Sequence, residues 1–312
     1  MSSVPSRRRA SAAAAAAALA LAGCGLSAGP ETKNVSVNVT RNFGSAPVGS
    51  ATQRHVPGSE TVMDLLERSF KVSRRYGGGL VESIDGHAGG PGRLDWSYYV
   101  NGILPPKGAA RTAVHVGDRV WWDLHDRTAT GQIPAVVGSY PEPFTTGVGG
   151  QRLPTVLDCA HEVTSACNKV GASLRKAGVK VSYQVLGGGS GSDSLAVVVG
   201  TWRDLQGVIA ADLIGAGPAK SGVYAQFVGT GGQALELDNP KGSVVRTLRG
   251  GAGLVAATEQ PSLNEPTWLV TGTDVAGVDA AAAALTPARL HDHFALVVEG
   301  SEDLPVPLSP GR

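Results

Sequence analysis

The N-terminal leader constrains the fold most, because it decides which residues belong to the folded body and in which compartment that body folds. Residues 1–9 are polar and contain Arg7-Arg8-Arg9, and residues 10–22 are almost entirely Ala and Leu. A helix of about 13 apolar residues cannot cross a hydrocarbon core of roughly 30 Å. A basic segment followed by a short apolar one is typical of an export signal that is later removed. We therefore expect the folded body to begin after residue 23 and to lie outside the cytoplasm.

The apolar segment ends in Leu21-Ala22-Gly23-Cys24. These residues resemble the bacterial lipobox, in which the cysteine receives a diacylglycerol and becomes the new N-terminus. The resemblance implies an actinobacterial-type lipoprotein, anchored by Cys24 to the outer face of the cell membrane, with residues 24–33 as a flexible tether. The alternative is an ordinary signal peptide in which Cys24 is incidental. No other stretch of the sequence is apolar enough to cross a membrane.

Length and charge limit the functions that the body can have. The chain has 312 residues, enough for two domains that each bury a core. Without residues 1–23, which contain three arginines and no acidic residue, the chain keeps 24 basic and 26 acidic residues, a net charge of −2. No basic field is then available to hold a polyanionic duplex, so we expect no nucleic-acid partner.

Two cysteines, Cys159 and Cys167, remain after lipidation. Two is the number needed for one disulfide in an oxidising compartment. On one continuous helix their Cα atoms would lie about 12 Å apart, whereas a disulfide needs less than about 7 Å. We therefore predict a short strand ending at Cys159, then a helix starting near Ala166 and capped by Thr164 or Ser165, which permits the bond. Two free buried thiols are the alternative.

Residues 34–127 show the pattern of a first domain with the order β–α–β–β–β. Valines at 35, 37 and 39 alternate with polar residues, which is typical of a half-buried strand. The spacing of Val62, Leu65, Leu66 and Phe70 predicts an amphipathic helix with a polar cap at residues 59–61. Further strands are predicted at residues 80–84, 94–100 and 114–124, and Asn101-Gly102 is a strong signal for a two-residue hairpin turn.

The run Trp96-Ser-Tyr-Tyr-Val-Asn-Gly102, followed by Val116-Gly-Asp-Arg-Val-Trp-Trp122, resembles the DUF4430 family. The helix that begins at Thr61 matches the family's helix. The resemblance covers about 90 residues and implies a β-grasp domain similar to the C-terminal domain of transcobalamin and intrinsic factor. In those vitamin carriers the domain covers one face of cobalamin. From the resemblance we therefore expect a cobalamin-like ligand.

Six residues of this region are candidates for contact with a ligand or a partner. Trp96 and Tyr98 share one strand face and Tyr99 lies on the other, whereas Trp121 and Trp122 must point to opposite faces. An exposed indole beside Tyr98 or Tyr99 could stack on a flat ligand. The alternative is that the aromatic residues only pack in a core and that Asn101 only forms the turn. The candidates are Trp96, Tyr98, Tyr99, Asn101, Trp121 and Trp122.

Residues 133–300 are predicted to form a second, α/β domain with three layers, and residues 301–312 a flexible tail. A strand that ends in Gly and a hydroxyl residue is predicted at residues 135–139, 197–201 and 269–273. Helices are predicted near residues 165–177, 203–214 and 275–285, and further strands at 179–186, 222–228, 252–258 and 294–298. The alternation of strands and helices indicates an α+β chain, with a β-grasp-like domain followed by an α/β domain.

No motif in the sequence predicts catalysis. Residues 215–221 resemble a phosphate-binding loop but lack its second glycine, so we interpret them as a turn. His291 and His293 have no third ligand nearby in the sequence, and we expect no metal site. The expected function is therefore that of a binding or docking lipoprotein, whose partner is a cobalamin-like ligand, a transporter component or an envelope protein. An envelope-assembly lipoprotein without a small ligand and a hydrolase with a scattered site are the competing hypotheses.

Overall fold

The structure is a computed structural model that describes residues 1, 32–75, 79–90, 93–187, 193–259 and 265–308. The chain is a mixed α+β protein with two halves, residues 32–126 and 155–308, joined by a linker. The strands of the first half are β1 (Thr32–Arg41), β2 (Ala46–Val56), β3 (Val72–Arg75), β4 (Leu80–Ile84), β5 (His87–Ala88), β6 (Leu94–Val100) and β7 (Arg119–Asp126). Its helix is α1 (Val62–Ser69).

The second half contains more strands and helices. Its strands are β8 (Thr155–Cys159), β9 (Val181–Val185), β10 (Leu195–Thr201), β11 (Ala225–Val228), β12 (Ala234–Asp238), β13 (Val244–Arg249), β14 (Ala252–Thr258), β15 (Thr267–Gly272), β16 (Ala295–Glu299) and β17 (Glu302–Val306). Its helices are α2 (Thr164–Lys176), α3 (Ile209–Gly215), α4 (Pro218–Ser221), α5 (Val275–Ala284) and α6 (Pro287–Leu290).

The main sheet of the first half has the strand order β2-β1-β7-β6. The central strands β1 and β7 are parallel, although they come from the two ends of this half, and each has an antiparallel neighbour. Helix α1 packs on one face, through Val62, Met63, Leu65 and Leu66. Strands β3, β4 and β5 form a small separate sheet. The predicted order β–α–β–β–β missed the short strands β3 and β5 and the edge strand β2. In β2 only Val56 is buried, so the strand shows no regular apolar alternation.

A seven-stranded sheet with the order β17-β16-β14-β15-β10-β8-β9 forms the centre of the second half. Strands β15, β10, β8 and β9 are parallel, and β14, β16 and β17 extend the sheet in antiparallel fashion. The sheet is buried on both faces, as strand β10 illustrates. Val197 and Val199 face the core that contains α2 and α5, whereas Val198 faces the core shared with the first half. Burial on both faces explains the continuous apolar sequences of these strands.

Helix α5 lies unusually close to the sheet. A Cβ atom added to Gly277 would lie 2.2 Å from the carbonyl oxygen of Ala252, and one added to Gly253 would lie 2.2 Å from the carbonyl oxygen of Gly277. Only glycine at these positions allows this approach, since such distances are far inside van der Waals contact. The contact holds α5 against β14 and closes the helix layer on this face.

The disulfide between Cys159 and Cys167 is present, with the Cα atoms 6.1 Å apart. Strand β8 ends at Cys159, and a short 3-10 helix at residues 161–163 precedes α2. The predicted strand, break and helix are therefore confirmed, because the break is what brings the two cysteines together. The predicted cap is wrong: Val163 is the N-cap residue and makes no side-chain capping bond, and the Thr164 hydroxyl donates to the carbonyl of His161 at 3.1 Å.

Four further sequence predictions are wrong in this region and its surroundings. Residues 135–139 are buried but form only a single bridge, from Ala135 to Ile103, because this segment crosses the junction between the two halves and does not join a sheet. Residues 301–312 are not all a tail, since β17 pairs with β16 and buries Leu304 and Val306. The predicted helix at 203–214 begins only at residue 209, and residues 114–115 belong to no strand, whereas residues 116–117 form a turn and the strand begins at Arg119.

Candidate functional site

The six candidate residues of the first half are all buried, with exposed fractions of 8% or less. In the antiparallel pair of β6 and β7, Tyr98 lies opposite Trp122 and Tyr99 lies opposite Trp121. Neighbouring positions point to opposite faces of the sheet, and so the residues divide into two groups. Trp96, Tyr98 and Trp122 belong to the core under α1, whereas Tyr99 and Trp121 belong to the core between the halves.

The first group is held by packing and hydrogen bonds inside the first half. The Tyr98 and Trp122 rings are stacked with centroids 4.9 Å apart. The Tyr98 hydroxyl lies 2.9 Å from the Thr112 hydroxyl oxygen, and burial raises the pKa of Tyr98. The Trp96 indole donates to the carbonyl oxygen of His87 at 3.3 Å. These three aromatic residues therefore stabilise the β6–β7 pair from within the core under α1.

The second group, Tyr99 and Trp121, lies in the core between the two halves and is held in place by a hydrogen-bond network of the first half. The Trp121 indole donates to the Thr40 hydroxyl at 2.7 Å, and that hydroxyl donates to Asp123 Oδ2 at 2.5 Å. Asp123 also accepts hydrogen bonds from the backbone N–H groups of Phe43 and Gly44. Burial, with smaller contributions from Asp123 and Tyr224, raises the pKa of the fully buried Tyr99 far above its usual range. The network fixes the turn between β1 and β2 against β7.

Asn101 has a structural role that goes beyond the predicted turn. Asn101 and Gly102 both have positive φ values, 54° and 80°, as a two-residue turn of type I′ requires. The Asn101 side chain donates to Asp118 Oδ1 at 2.8 Å and to the carbonyl oxygen of Gly147 at 3.0 Å, and accepts from the N–H of Arg119. The turn leads into a single bridge at Ile103, and β6 pairs with the distant β7 instead.

None of these six side chains is more than 8% exposed, so the exposed indole face that stacking on a flat ligand requires is not found among them. Contact of these residues with a ligand or a partner stays a prediction. The alternative given by the sequence, packing alone, describes the aromatic residues. Asp118, beside Asn101, is buried as well. Burial raises the pKa of this carboxyl group, and the hydrogen bonds that it accepts from His115 and Asn101 partly offset that rise.

An open cleft of about 1180 Å³ lies at the junction of the two halves. The first wall is the segment that connects β6 to β7, and the linker contributes residues 130–132, Pro134 and residues 148–149. The second wall comes from α4 and from Glu259, which directly follows β14. Apolar side chains form part of the surface, among them Val100, Ile103, Leu104 and Val148. The cleft therefore depends on the way in which the halves pack.

Four of the five charged side chains that the described residues contribute to the cleft are basic. Lys107 and Arg111 extend from the first wall and Lys220 from the second, and all three side chains are exposed. Arg127 also lines the cleft, but its guanidinium group donates to the carbonyl oxygen of Gly131 and lies 3.6 Å from Asp95. Glu259 is the acidic side chain of the lining, and burial, together with the nearby Glu265, raises its pKa to about 7.

Sequence reasoning missed the cleft residues. The cleft residues are polar or lie in loops, in a short helix or at the end of a strand. No periodic sequence pattern therefore distinguishes them from other surface residues. A weak signal was available in Pro105-Pro106-Lys107, a rigid loop that carries a charge between two strands of a domain. The pairing of that loop with α4 depends on long-range packing, which a local pattern does not encode.

The described part of the chain contains no group of three or more His, Cys, Asp or Glu side chains placed to hold a metal ion. His291 is exposed and its Nδ1 lies 3.2 Å from Asp292 Oδ2. The backbone N–H of His293 donates to the carbonyl oxygen of Leu290. Cys24, the predicted lipidation site, lies outside the described residues. Among the residues that are described, no helix is long and apolar enough to span a bilayer.

The fold and the cleft define a two-part mixed α+β protein with an open cleft where its halves meet. Residues 59–126 match the model of the family described as "Domain of unknown function (DUF4430)". The predicted resemblance to that family is thus confirmed for these residues. No curated protein matches the chain. Among solved structures, the chain is similar to a "putative metal binding protein" from Ruminococcus gnavus, with 15% identity and a TM-score of 0.25, covering 30% of this chain and 97% of that one.

Proposed function

We propose that this chain is an extracytoplasmic lipoprotein, anchored through Cys24 to the outer face of the cell membrane, that binds a ligand in the cleft between its halves. The leader supports export and the Leu21-Ala-Gly-Cys24 sequence supports lipidation. The bonded Cys159 and Cys167 fit an oxidising compartment, since such bonds are rare in the cytosol. A binding role, rather than a catalytic one, is part of the proposal.

The binding role is supported by the cleft of about 1180 Å³ at the junction of the two halves. Ligand sites occur preferentially where domains meet, and their usual volumes are about 300–1,000 Å³. At about 1180 Å³ the cleft is slightly larger than this range, so that it suits a large ligand better than a small one. It combines an apolar surface with a few polar groups, which is the usual composition of a binding pocket.

A cobalamin-like ligand is the first specific candidate. The support is the match of residues 59–126 to DUF4430 and the sheet order β2-β1-β7-β6, which fits the β-grasp-like domain inferred from the sequence. The layers of helices and strands around the seven-stranded sheet fit the α/β, three-layer domain in the same way. The expected partner is a transporter component that receives the ligand at the membrane.

Calorimetric titration of the detergent-solubilised full chain with cobalamin tests this ligand. We expect saturable heat, and we expect Ala113→Trp to abolish it, because Ala113 lines the cleft and a bulky indole would fill the space. The matched control is Ala172→Trp on the exposed face of α2, which should bind normally. An absence of heat at millimolar cobalamin would exclude the cobalamin-like ligand.

The second candidate function is envelope interaction or assembly without a small ligand. The burial of all six candidate aromatic and amide residues favours it, because it removes the stacking surface that a flat ligand would use. Native mass spectrometry of the protein purified from its own membranes separates the two functions. A bound small molecule that is lost in Ala113→Trp supports the binding role, whereas an unliganded mass in both proteins supports the interaction role.

The lipid anchor has a separate test. Replacement Cys24→Ser removes the thiol that would carry the lipid. We expect the variant to be released from the membrane or to accumulate as an uncleaved precursor, as fractionation and intact mass would show. A Cys24→Ser protein that is processed normally and stays in the membrane fraction would disprove the anchor.

A further inference from the structure

The cleft carries positive charge on both walls, although the body as a whole does not. Lys107 and Arg111 lie on the β6–β7 connection of the first half, and Lys220 lies on α4 of the second half. Beyond residue 23 the chain has 24 basic and 26 acidic residues. The basic character of the cleft is therefore a local arrangement and does not follow from the composition.

These three cations are unpaired. The side chains of Lys107, Arg111 and Lys220 make no hydrogen bond or ion pair with another residue of the described ranges. Other basic side chains on the surface do have acidic partners, such as Arg289 with Asp303 and Lys169 with Asp279. Charges that converge on a concave surface concentrate the field there, since the protein walls have a lower dielectric constant than water. Such a field attracts anions into the cleft.

Glu259, the one acidic side chain that the described residues contribute to the lining, opposes this field weakly. Glu259 is partly buried, and its own burial, together with repulsion from Glu265, favours its protonated form. The same lining includes Ile103, which is buried, and Leu104 and Val148, which are half-buried, and these side chains give an apolar surface. The cleft therefore combines exposed cations with apolar side chains.

We infer that the cleft selects a soluble ligand that carries several anionic oxygen groups, carboxylate or phosphate, on an apolar body. Lys107 and Arg111 bind one end of such a molecule and Lys220 binds the other, while the apolar surface covers its body. Arg111 is suited to carboxylate or phosphate because its guanidinium group can donate two parallel hydrogen bonds. The inference rests on the proposed function in that it concerns the same binding cleft, and it names a ligand class that is an alternative to the cobalamin-like candidate.

The test uses two probes that differ in charge alone. Benzene-1,3,5-tricarboxylate carries three carboxylates on an apolar ring, and benzene-1,3,5-tricarboxamide is its neutral counterpart. Saturation-transfer NMR with the full chain in detergent measures the binding of both. We expect the tricarboxylate to bind more tightly than the tricarboxamide and to bind more weakly as salt is added, because salt screens exposed charges.

The triple variant Lys107→Gln, Arg111→Gln, Lys220→Gln should lose about tenfold or more of its tricarboxylate affinity, since three attractions are removed together. The control removes the same charge elsewhere, with Arg54→Gln, Lys71→Gln and Lys176→Gln, all at exposed positions. It should bind like the wild type. Circular dichroism verifies that both variants fold.

The outcomes separate this inference from the proposed function. Equal binding of both probes, blocked by Ala113→Trp, would overturn the selection of anions and leave the binding cleft standing. Tricarboxylate binding that persists in the triple variant would also overturn the inference, because the anion would then be bound elsewhere. If neither probe binds but native mass spectrometry shows a bound molecule that is lost in Ala113→Trp, only the selection of anions is overturned. If neither probe binds and native mass spectrometry shows no bound molecule, the selection of anions and the binding cleft are both overturned.

Discussion

The rings of Trp121 and Phe294 meet edge to face across the junction of the two halves, with centroids 5.1 Å apart and planes inclined by 67°. Trp121 comes from β7, and Phe294 immediately precedes β16. The Phe294 ring also lies 5.2 Å from the ring of Phe43 and 5.7 Å from that of Tyr99. The two halves therefore share a core, and the geometry of the cleft depends on this contact.

Substitution Phe294→Ala should destabilise the protein by about 3–5 kcal/mol, the range for removing a large buried aromatic side chain. Because the lost contacts join the halves, we expect hydrogen exchange to accelerate in β7 at low denaturant. Phe144→Ala is the matched control, since Phe144 is equally buried but packs in the core on the α2 and α5 side. Equal protection of β7 in both variants would contradict a shared core as the link between the halves.

The sequence predicts single elements well and their partners poorly. The strands at residues 80–84, 94–100 and 252–258 agree with the structure to the residue, because burial fixed their apolar patterns. Strand β2 was missed because an exposed edge strand needs no such pattern. Residues 135–139 were assigned to a strand because buried valines look alike in a sheet and in a segment that crosses a junction.

The candidate site could not be found in the sequence for a related physical reason. Aromatic residues stand out in a sequence, and the adjacent Trp121 and Trp122 cannot point into the same core, so the sequence leaves both an exposed ring and packing alone as hypotheses. The structure has two cores on the two faces of the β6–β7 sheet, so that Trp121 and Trp122 are both buried while pointing in opposite directions. The cleft is built from residues as far apart as Lys107 and Glu259, whose proximity follows from packing alone.

Removal of the disulfide should destabilise the second half. The bond closes a short loop between Cys159 and Cys167, and loop-closure entropy for about eight residues corresponds to about 2–3 kcal/mol. The double variant Cys159→Ala, Cys167→Ala should unfold at a correspondingly lower urea concentration. Reductant should produce the same shift in the wild type and none in the variant. An unchanged midpoint would show that the loop is equally restricted in the unfolded chain.

The capping box of α1 gives a smaller and more local effect. The backbone N–H of Asp64 donates to the Thr61 hydroxyl at 3.2 Å, and the N–H of Thr61 donates to the Asp64 carboxylate at 3.1 Å. Thr61→Ala removes one of these bonds and should lower the free energy of unfolding by about 1 kcal/mol. Thr61→Ser keeps the hydroxyl and should restore most of the stability. Urea unfolding of the three proteins measures the difference, and equal stability of Thr61→Ala and wild type would refute the role of the cap.

Glu259 should make stability depend on pH in a window that is unusual for a carboxyl group. Burial and the neighbouring Glu265 raise its pKa from 4.5 to about 7 in the folded protein. The folded state then binds more protons than the unfolded state between these two values, so that the free energy of unfolding falls as the pH rises from 4.5 to 7.

Substitution Glu259→Gln replaces the titrating carboxyl group with a neutral amide. It should flatten the pH dependence of stability between pH 4.5 and 7, and above pH 7 the variant should have a higher thermal midpoint than the wild type. Glu265→Gln should narrow the window without abolishing it, because it removes the repulsion and leaves the burial, which is the larger cause. Thermal midpoints of the three proteins across the range provide the measurement. If Glu259→Gln and the wild type followed parallel curves, the raised pKa of Glu259 would be wrong, and the acid would oppose anion binding in the cleft with its full charge at neutral pH.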